Sequence, residues 1–178
     1  MKLVLDIETQ NSFQDVGGKA DLGLLKVSVA VAYFYGDDKF YTFTEAEMDQ
    51  LENLIGQAES LVGFNISGFD LPILQQYMKT NLLNKKQLDI MVELENILGY
   101  KVSLQAVTKA TLGTGKLSSG LEAIKMWQEG RLEELKNYCQ EDVRLTKEIY
   151  EYGIRNGFVK FNAGWDDYEV PVRWREEN

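Results

Sequence analysis

The chain has 178 residues, 44% hydrophobic and 26% charged, with a net charge of −9, bulk figures that fit a single soluble globular domain with a proper core. It has no histidine and one cysteine, Cys139, which excludes His-dependent triads, histidine metal sites, an internal disulfide and a Cys-based zinc cluster. The longest apolar stretch, Val27 to Phe34, is too short to span a bilayer, and nothing before Leu3 could serve as a signal peptide; the expectation is no membrane partner and a reducing, cytoplasmic location. Any enzymatic chemistry must then rest on carboxylates, Tyr, Lys, Ser or Thr.

In chain order, Lys2 to Thr9 reads as a strand, with Leu3, Leu5 and Ile7 facing one way and Val4, Asp6 and Glu8 the other. A polar, Gly-containing connection leads to a second strand over about Lys26 to Tyr35. Gly36-Asp37-Asp38 is a turn into a third strand, Lys39 to Phe43, making a hairpin. Thr44-Glu45-Ala46-Glu47 has the capping-box pattern of a helix start, and Met48, Leu51, Leu54 and Ile55 keep helical spacing. Ser60 to Phe64 is a short buried strand. The connection Asn65-Ile66-Ser67-Gly68 enters a helix predicted from near Asp70 to about Lys79. A strand near Gln87 to Ile90 precedes helices around Met91–Leu98 and Ser103–Leu112. Gly113 to Gly120, rich in Gly and Ser, is expected to be a mobile loop; its Gly-Thr-Gly-Lys lacks P-loop spacing. Helices follow at Leu121–Glu129 and Leu132–Tyr152, and the tail, Phe158 to Trp174, alternates aromatic and polar residues as a terminal hairpin or arm would. No repeat and no internal boundary is visible, so 1–178 reads as one domain, with 158–178 as its C-terminal arm.

A hairpin of strands followed by alternating helix and strand implies an α/β fold: a mixed sheet with its first strand in the middle and helices on both faces. Ligand sites in such sheets lie at the carboxyl ends of central strands, where Asp6 and Glu8 fall. Side by side, these carboxylates repel unless a positive charge such as a divalent cation sits between them, although such pairs are also common where a strand runs out into solvent. On the long C-terminal helix, stepping about 100° per residue from Leu135 puts Leu145, Tyr138, Ile149, Asp142, Thr146 and Cys139 on one arc. A bare carboxylate inside that apolar stripe would cost several kcal/mol unless paired or metal-bound. A metal shared with Asp6 and Glu8 would resolve this, as would a distant Lys or Arg. Tyr138, one turn earlier, reaches the same spot. Asp70, followed by Leu71-Pro72, also fits a plain N-cap, and Asn65 a plain turn residue.

In combination, Asp6-Ile7-Glu8-Thr9, Asn65-Ile66-Ser67-Gly68-Phe69-Asp70 and Tyr138-Cys139-Gln140-Glu141-Asp142-Val143 resemble the three motifs of the DEDD superfamily of 3′–5′ exonucleases. The Tyr-x-x-x-Asp form of the third is that of the DEDDy branch. The second motif is similar to that of family-B DNA polymerase exonuclease domains. The stretch from Leu88 through Leu112, Lys116, Gly120, Trp127 and Gly130 to Tyr138 is more similar to small YprB-type ribonuclease-H-like domains. The likeness covers most of residues 1 to 152 and leaves the tail unmatched.

The resemblance implies a ribonuclease-H-like, five-stranded mixed sheet and an exonuclease using two Mg²⁺ or Mn²⁺ ions, held by Asp6, Glu8, Asp70 and Asp142. By analogy Asp6 bridges the ions, Glu8 and Asp142 complete the nucleophile's side, Asp70 serves the other ion, and Tyr138 orients the water. Oxygen-only ligands suit these ions. Thr9 and Asn65 are expected to place the terminal nucleotide of a single-stranded 3′ end. The lysine-rich region 79–125, seven lysines against four acids and including Lys116, is the candidate strand guide. The acidic net charge works against tight autonomous binding, so a helicase or polymerase partner is the expected source of extra grip. A binding module of the same fold without turnover, or an endonuclease, would share these features.

Overall fold

The computed structural model describes residues 1–18, 21–114, 120–162 and 167–174. Its centre is β1 (Lys2–Thr9). Together with β2 (Val27–Phe34), β3 (Lys39–Thr44), β4 (Ser60–Gly63) and β5 (Lys86–Asp89) it forms one sheet in the order β3-β2-β1-β4-β5. The β1–β2 and β2–β3 pairs are antiparallel, and β1–β4 and β4–β5 are parallel, so the expected mixed five-stranded sheet with β1 in the middle is present.

Both faces are covered because β1 carries buried apolar residues on both. Leu3, Leu5 and Ile7 pack with Ala30, Ala32 and Leu61 against α1 (Met48–Gln57) and α2 (Asp70–Leu74). Val4 packs with Val29, Val31 and Val62 on the other face. Its cover is α3 (Ile90–Leu98), α4 (Leu104–Leu112), α5 (Gly120–Gln128) and the long α6 (Leu132–Asn156). Period-two alternation along one strand thus splits the core into two layers. The capping box forms as expected, the Glu47 carboxylate accepting from both the Thr44 N–H and its hydroxyl. It opens a 3-10 turn, Glu45–Glu47, ahead of α1.

One helix is much shorter than its sequence suggests: α2 ends at Leu74, not near Lys79. Beyond it the backbone tightens, with Tyr77 N–H donating to Leu74 O and Met78 N–H to Gln75 O. The Gln75 side chain draws the following segment back, donating to Thr80 O and accepting from Leu82 N–H. Of the expected loop 113–120, residues 115–119 lie outside the described residues, and Gly120 already belongs to α5.

The C-terminal alternation folds into an antiparallel hairpin, β6 (Phe158–Asn162) with β7 (Asp167–Pro171). Val159, Phe161, Val170, Val172 and Trp174 join the α6-side core. Trp174 lies over Gly153 of α6, so closely that a Cβ there would come within 2.4 Å of its ring. No helix among the described residues is long and apolar enough to cross a membrane.

Candidate metal centre

The parallel pairing of β4 with β1 stops at Val4–Val62, so the two strands part before β1 ends. Among the described residues, the later half of β1 keeps only β2 as a neighbouring strand, and Asp6 pairs opposite Val31 and Glu8 opposite Val29. The register slips between Glu8 and Thr9, where Val27 rather than Ser28 opposes Thr9; such bulges bend a strand end and re-aim its side chains. Asp6 and Glu8 stay on the face covered by α6.

From α6 the buried stripe presents Leu135, Tyr138, Cys139, Asp142, Val143, Leu145, Thr146 and Ile149, which contains every member of the arc read from the sequence. Four basic residues on or beside α6 pair with neighbouring acids: Arg131 with Glu122, Glu129 and Glu134, Lys136 with Glu133, Arg144 with Glu141 and Glu148, and Lys147 with Glu151. Asp142, only 4% exposed, turns toward β1 instead. Carboxylate oxygens of Asp6, Glu8 and Asp142 lie within 4.8 Å of one another. Three converging carboxylates from a strand end and a helix form a donor set that could hold a divalent cation.

Asp70 is buried beside this trio, outside the 4.8 Å cluster. Its Oδ1 accepts the backbone N–H of Ile7 at 2.9 Å, the residue between Asp6 and Glu8. It is the first residue of α2, not its N-cap, which is Phe69. Burial pushes the Asp70 carboxyl well above the usual range, and the charge of Asp6 adds to this against the opposing Ile7 N–H. The same negative field acts on Cys139. Its thiol is pushed up first by burial and then by Asp6, Glu8 and Asp142, with Sγ 3.5 Å from both the carbonyl oxygen and Oδ2 of Asp6.

The remaining sequence candidates fall as follows. Tyr138 is buried one turn before Asp142 on the same helix face. Thr9 is buried, and its hydroxyl donates to Asn11 O. Asn65 is half-buried in a left-handed turn, φ 65°, a conformation Asn tolerates. Lys116 lies outside the described residues. Beside Glu8 a cleft of about 320 Å³ is lined by Thr9, Asn11, Ser12, Phe13, Phe69 and Leu121 among others, and Phe13 meets Phe69 edge-on. A larger cavity of about 760 Å³ lies between Lys2, Tyr35, Tyr150 and Arg155, at the opposite end of β1, far from the acids.

Two residues near the site escaped the sequence reading. Cys139 was visible on the arc, but nothing in the chain signalled its contact with Asp6. Asp89 ends β5, and its carboxylate accepts five hydrogen bonds, two of them capping α3. An Asp before an apolar helical run is the cap signature that could have flagged it.

The profile of RNase_H_2, described as RNase_H superfamily, matches residues 3–154. The chain belongs to the RNase_H superfamily. Among solved structures, the family B DNA polymerase from the hyperthermophilic archaeon Pyrobaculum calidifontis is similar with a TM-score of 0.64 and 18% identity. The similarity covers 86% of this chain and 24% of the polymerase, so the chain spans about a quarter of that protein. At this identity the likeness is one of fold. A search of curated proteins finds no match. Superfamily membership supports nuclease-type chemistry in general, and the hairpin after residue 154 falls outside the matched region.

Proposed function

We propose that this domain is a metal-dependent 3′–5′ exonuclease of DEDDy type that hydrolyses phosphodiester bonds at single-stranded nucleic acid ends. The observation that carries the reading is the convergence of Asp6, Glu8 and Asp142 within 4.8 Å at the carboxyl end of the central strand.

The donor set fits the ions proposed. Clustered carboxylates offer hard oxygen ligands, which suit Mg²⁺ or Mn²⁺, and the mutual repulsion felt at Asp70 is what bound dications would relieve. Asp6, Glu8 and Asp142 would hold the metal, with Asp70 beside them for a second ion. Bound there, two such ions would supply an activated water and neutralise charge on the scissile phosphate.

The chain's own side chains do the rest. Asp6 and Glu8 are fixed by β1, so the ligand oxygens are arranged before substrate arrives, which lowers the cost of ordering them. Tyr138 orients the attacking water through its hydroxyl. The cleft beside Glu8 takes the terminal nucleotide, with Thr9 at its rim and the Phe13–Phe69 pair and Leu121 offering apolar surface to a base. Asn65 and Lys116 are proposed as further strand contacts. With a net charge of −9, grip on the strand beyond the cleft would come from a partner such as a helicase or polymerase.

Thermal unfolding against Mn²⁺ or Mg²⁺ concentration tests the metal centre without requiring turnover. A rise in Tm that grows with the logarithm of metal concentration in wild type, lost in Asp142→Asn, is expected, corresponding to about 2.7 kcal/mol of stabilisation at a hundredfold excess over Kd. A melting curve indifferent to both ions would overturn the reading.

A further inference from the structure

Asp89 stands at the carboxyl end of β5, paired in register with Gly63 of β4. That places its carboxylate where the chain leaves β4 for the turn that ends at Asp70. The carboxylate is buried, at 7% exposure, and divides its acceptor capacity between two segments. Oδ1 accepts the N–H of Asn65 at 2.8 Å and those of Met91 and Val92 at 3.1 and 3.3 Å. Oδ2 accepts the N–H of Ser67 at 2.9 Å together with the Ser67 hydroxyl. A carboxylate offers about four lone-pair positions, so these five donors fill it.

The turn it grips has little freedom of its own. Asn65 sits at a positive φ of 65°. The Gly68 N–H returns to Asn65 O, and Leu71 N–H to Ile66 O. A Cβ on Gly68 would fall 2.7 Å from Asn65 Oδ1, and one on Gly63 would fall 2.6 Å from Ile66 Cβ. One carboxylate therefore ties the turn 65–67 to the start of α3, and the far end of that turn delivers Asp70 to the Ile7 N–H.

We propose that Asp89 is a positioning residue for the acidic centre: by anchoring Asn65 and Ser67 it fixes where Asp70 meets β1 between Asp6 and Glu8. The role in catalysis rests on the exonuclease reading above; the mechanical link from Asp89 to the Ile7 amide does not. The Asp89 carboxylate bonds to Asn65, Ser67, Met91 and Val92, so its effect on the acidic centre passes through the turn to Asp70.

Amide hydrogen exchange at Ile7, resolved by NMR on the full chain, reads this link directly. Asp70→Ala calibrates how far the Ile7 amide depends on the carboxylate. In Asp89→Ala the Ile7 amide should exchange faster by about tenfold or more while Leu5, on the same strand, keeps its wild-type protection. Should Asp89→Ala fail to fold, Asp89→Asn and Ser67→Ala carry the test; each removes part of the grip, and the same selective change at Ile7 is expected in smaller measure. Wild-type exchange at Ile7 in every folded variant, or equal acceleration at Leu5 and Ile7, would overturn the proposal.

Activity supplies the second readout. Asp89→Ala should lower kcat and raise the Mn²⁺ concentration for half-maximal rate. Its loss should not add to that of Asp70→Asn, because both act on one carboxylate; additive losses would contradict the route through Asp70. If Ile7 responds but no variant, wild type included, degrades nucleic acid, the positioning stands and the exonuclease reading falls.

Discussion

Asp70 Oδ1 accepts the backbone N–H of Ile7 at 2.9 Å, which joins the first turn of α2 to the one residue that separates the two acids of β1. The contact exists because β4 leaves β1 after Val4 and the strand's later N–H groups need other acceptors. A carboxylate has taken the place of a strand, and in doing so has been brought beside Asp6.

This arrangement fixes a pH dependence. Burial and Asp6 hold the Asp70 carboxyl above its ordinary value of 3.8, so the folded state binds this proton more tightly than the unfolded one. The stability this contributes is complete below about pH 4 and is lost as pH rises through the raised pKa. In EDTA, Asp70→Asn should therefore flatten the fall in Tm above pH 4 and be the more stable protein near neutrality. Parallel Tm–pH curves for the two proteins would contradict this.

Gly153 and Trp174 make a second test. With the Trp174 ring 2.4 Å from any Cβ at position 153, Gly153→Ala must displace the segment after β7, at a cost of about 1–3 kcal/mol for overpacking. Urea unfolding should show a lower midpoint with an unchanged slope.

Thr44→Ala removes the hydroxyl of the capping box that opens the 3-10 turn ahead of α1. Losing an N-cap side chain costs about 1 kcal/mol, and thermal unfolding should register it without any change in metal response.

Cys139 is fully buried, and its thiol is pushed up by burial and by the acids around it. A thiol reagent at neutral pH should leave it unmodified in the native protein and react fully in denaturant. Rapid native labelling would mean that the α6–β1 contact opens readily.

Much of the candidate site's geometry was legible because it follows from two periodicities. Alternation along Lys2–Thr9 put Asp6 and Glu8 on one face, and helical spacing put Tyr138 and Asp142 on the buried stripe of α6; each conclusion needs only local geometry. Asp70 was ambiguous, since a cap and a ligand look alike in Asp-Leu-Pro, and only the departure of β4 from β1 decides where its oxygen goes. The length of α2 was misread because apolar spacing continues past Leu74 while Gln75 turns the backbone back through side-chain bonds. Asp89 was hidden for a similar reason: its cap on α3 is local, but its grip on Asn65 and Ser67 depends on the register of β5 against β4.

The most direct test pairs wild type with Asp6→Ala and Asp142→Asn, each verified as folded by circular dichroism. All three are incubated with Mn²⁺ or Mg²⁺ and matched DNA and RNA oligonucleotides, linear with 3′ or 5′ blocks, and with circular single strands. Wild type should release mononucleotides stepwise from free 3′ ends and spare circles. Both variants should be slower by about a thousandfold or more, equivalent to about 4 kcal/mol of transition-state stabilisation. Undiminished degradation by both folded variants would contradict the acidic centre as the seat of activity, and cutting of circles by wild type would contradict an exonuclease.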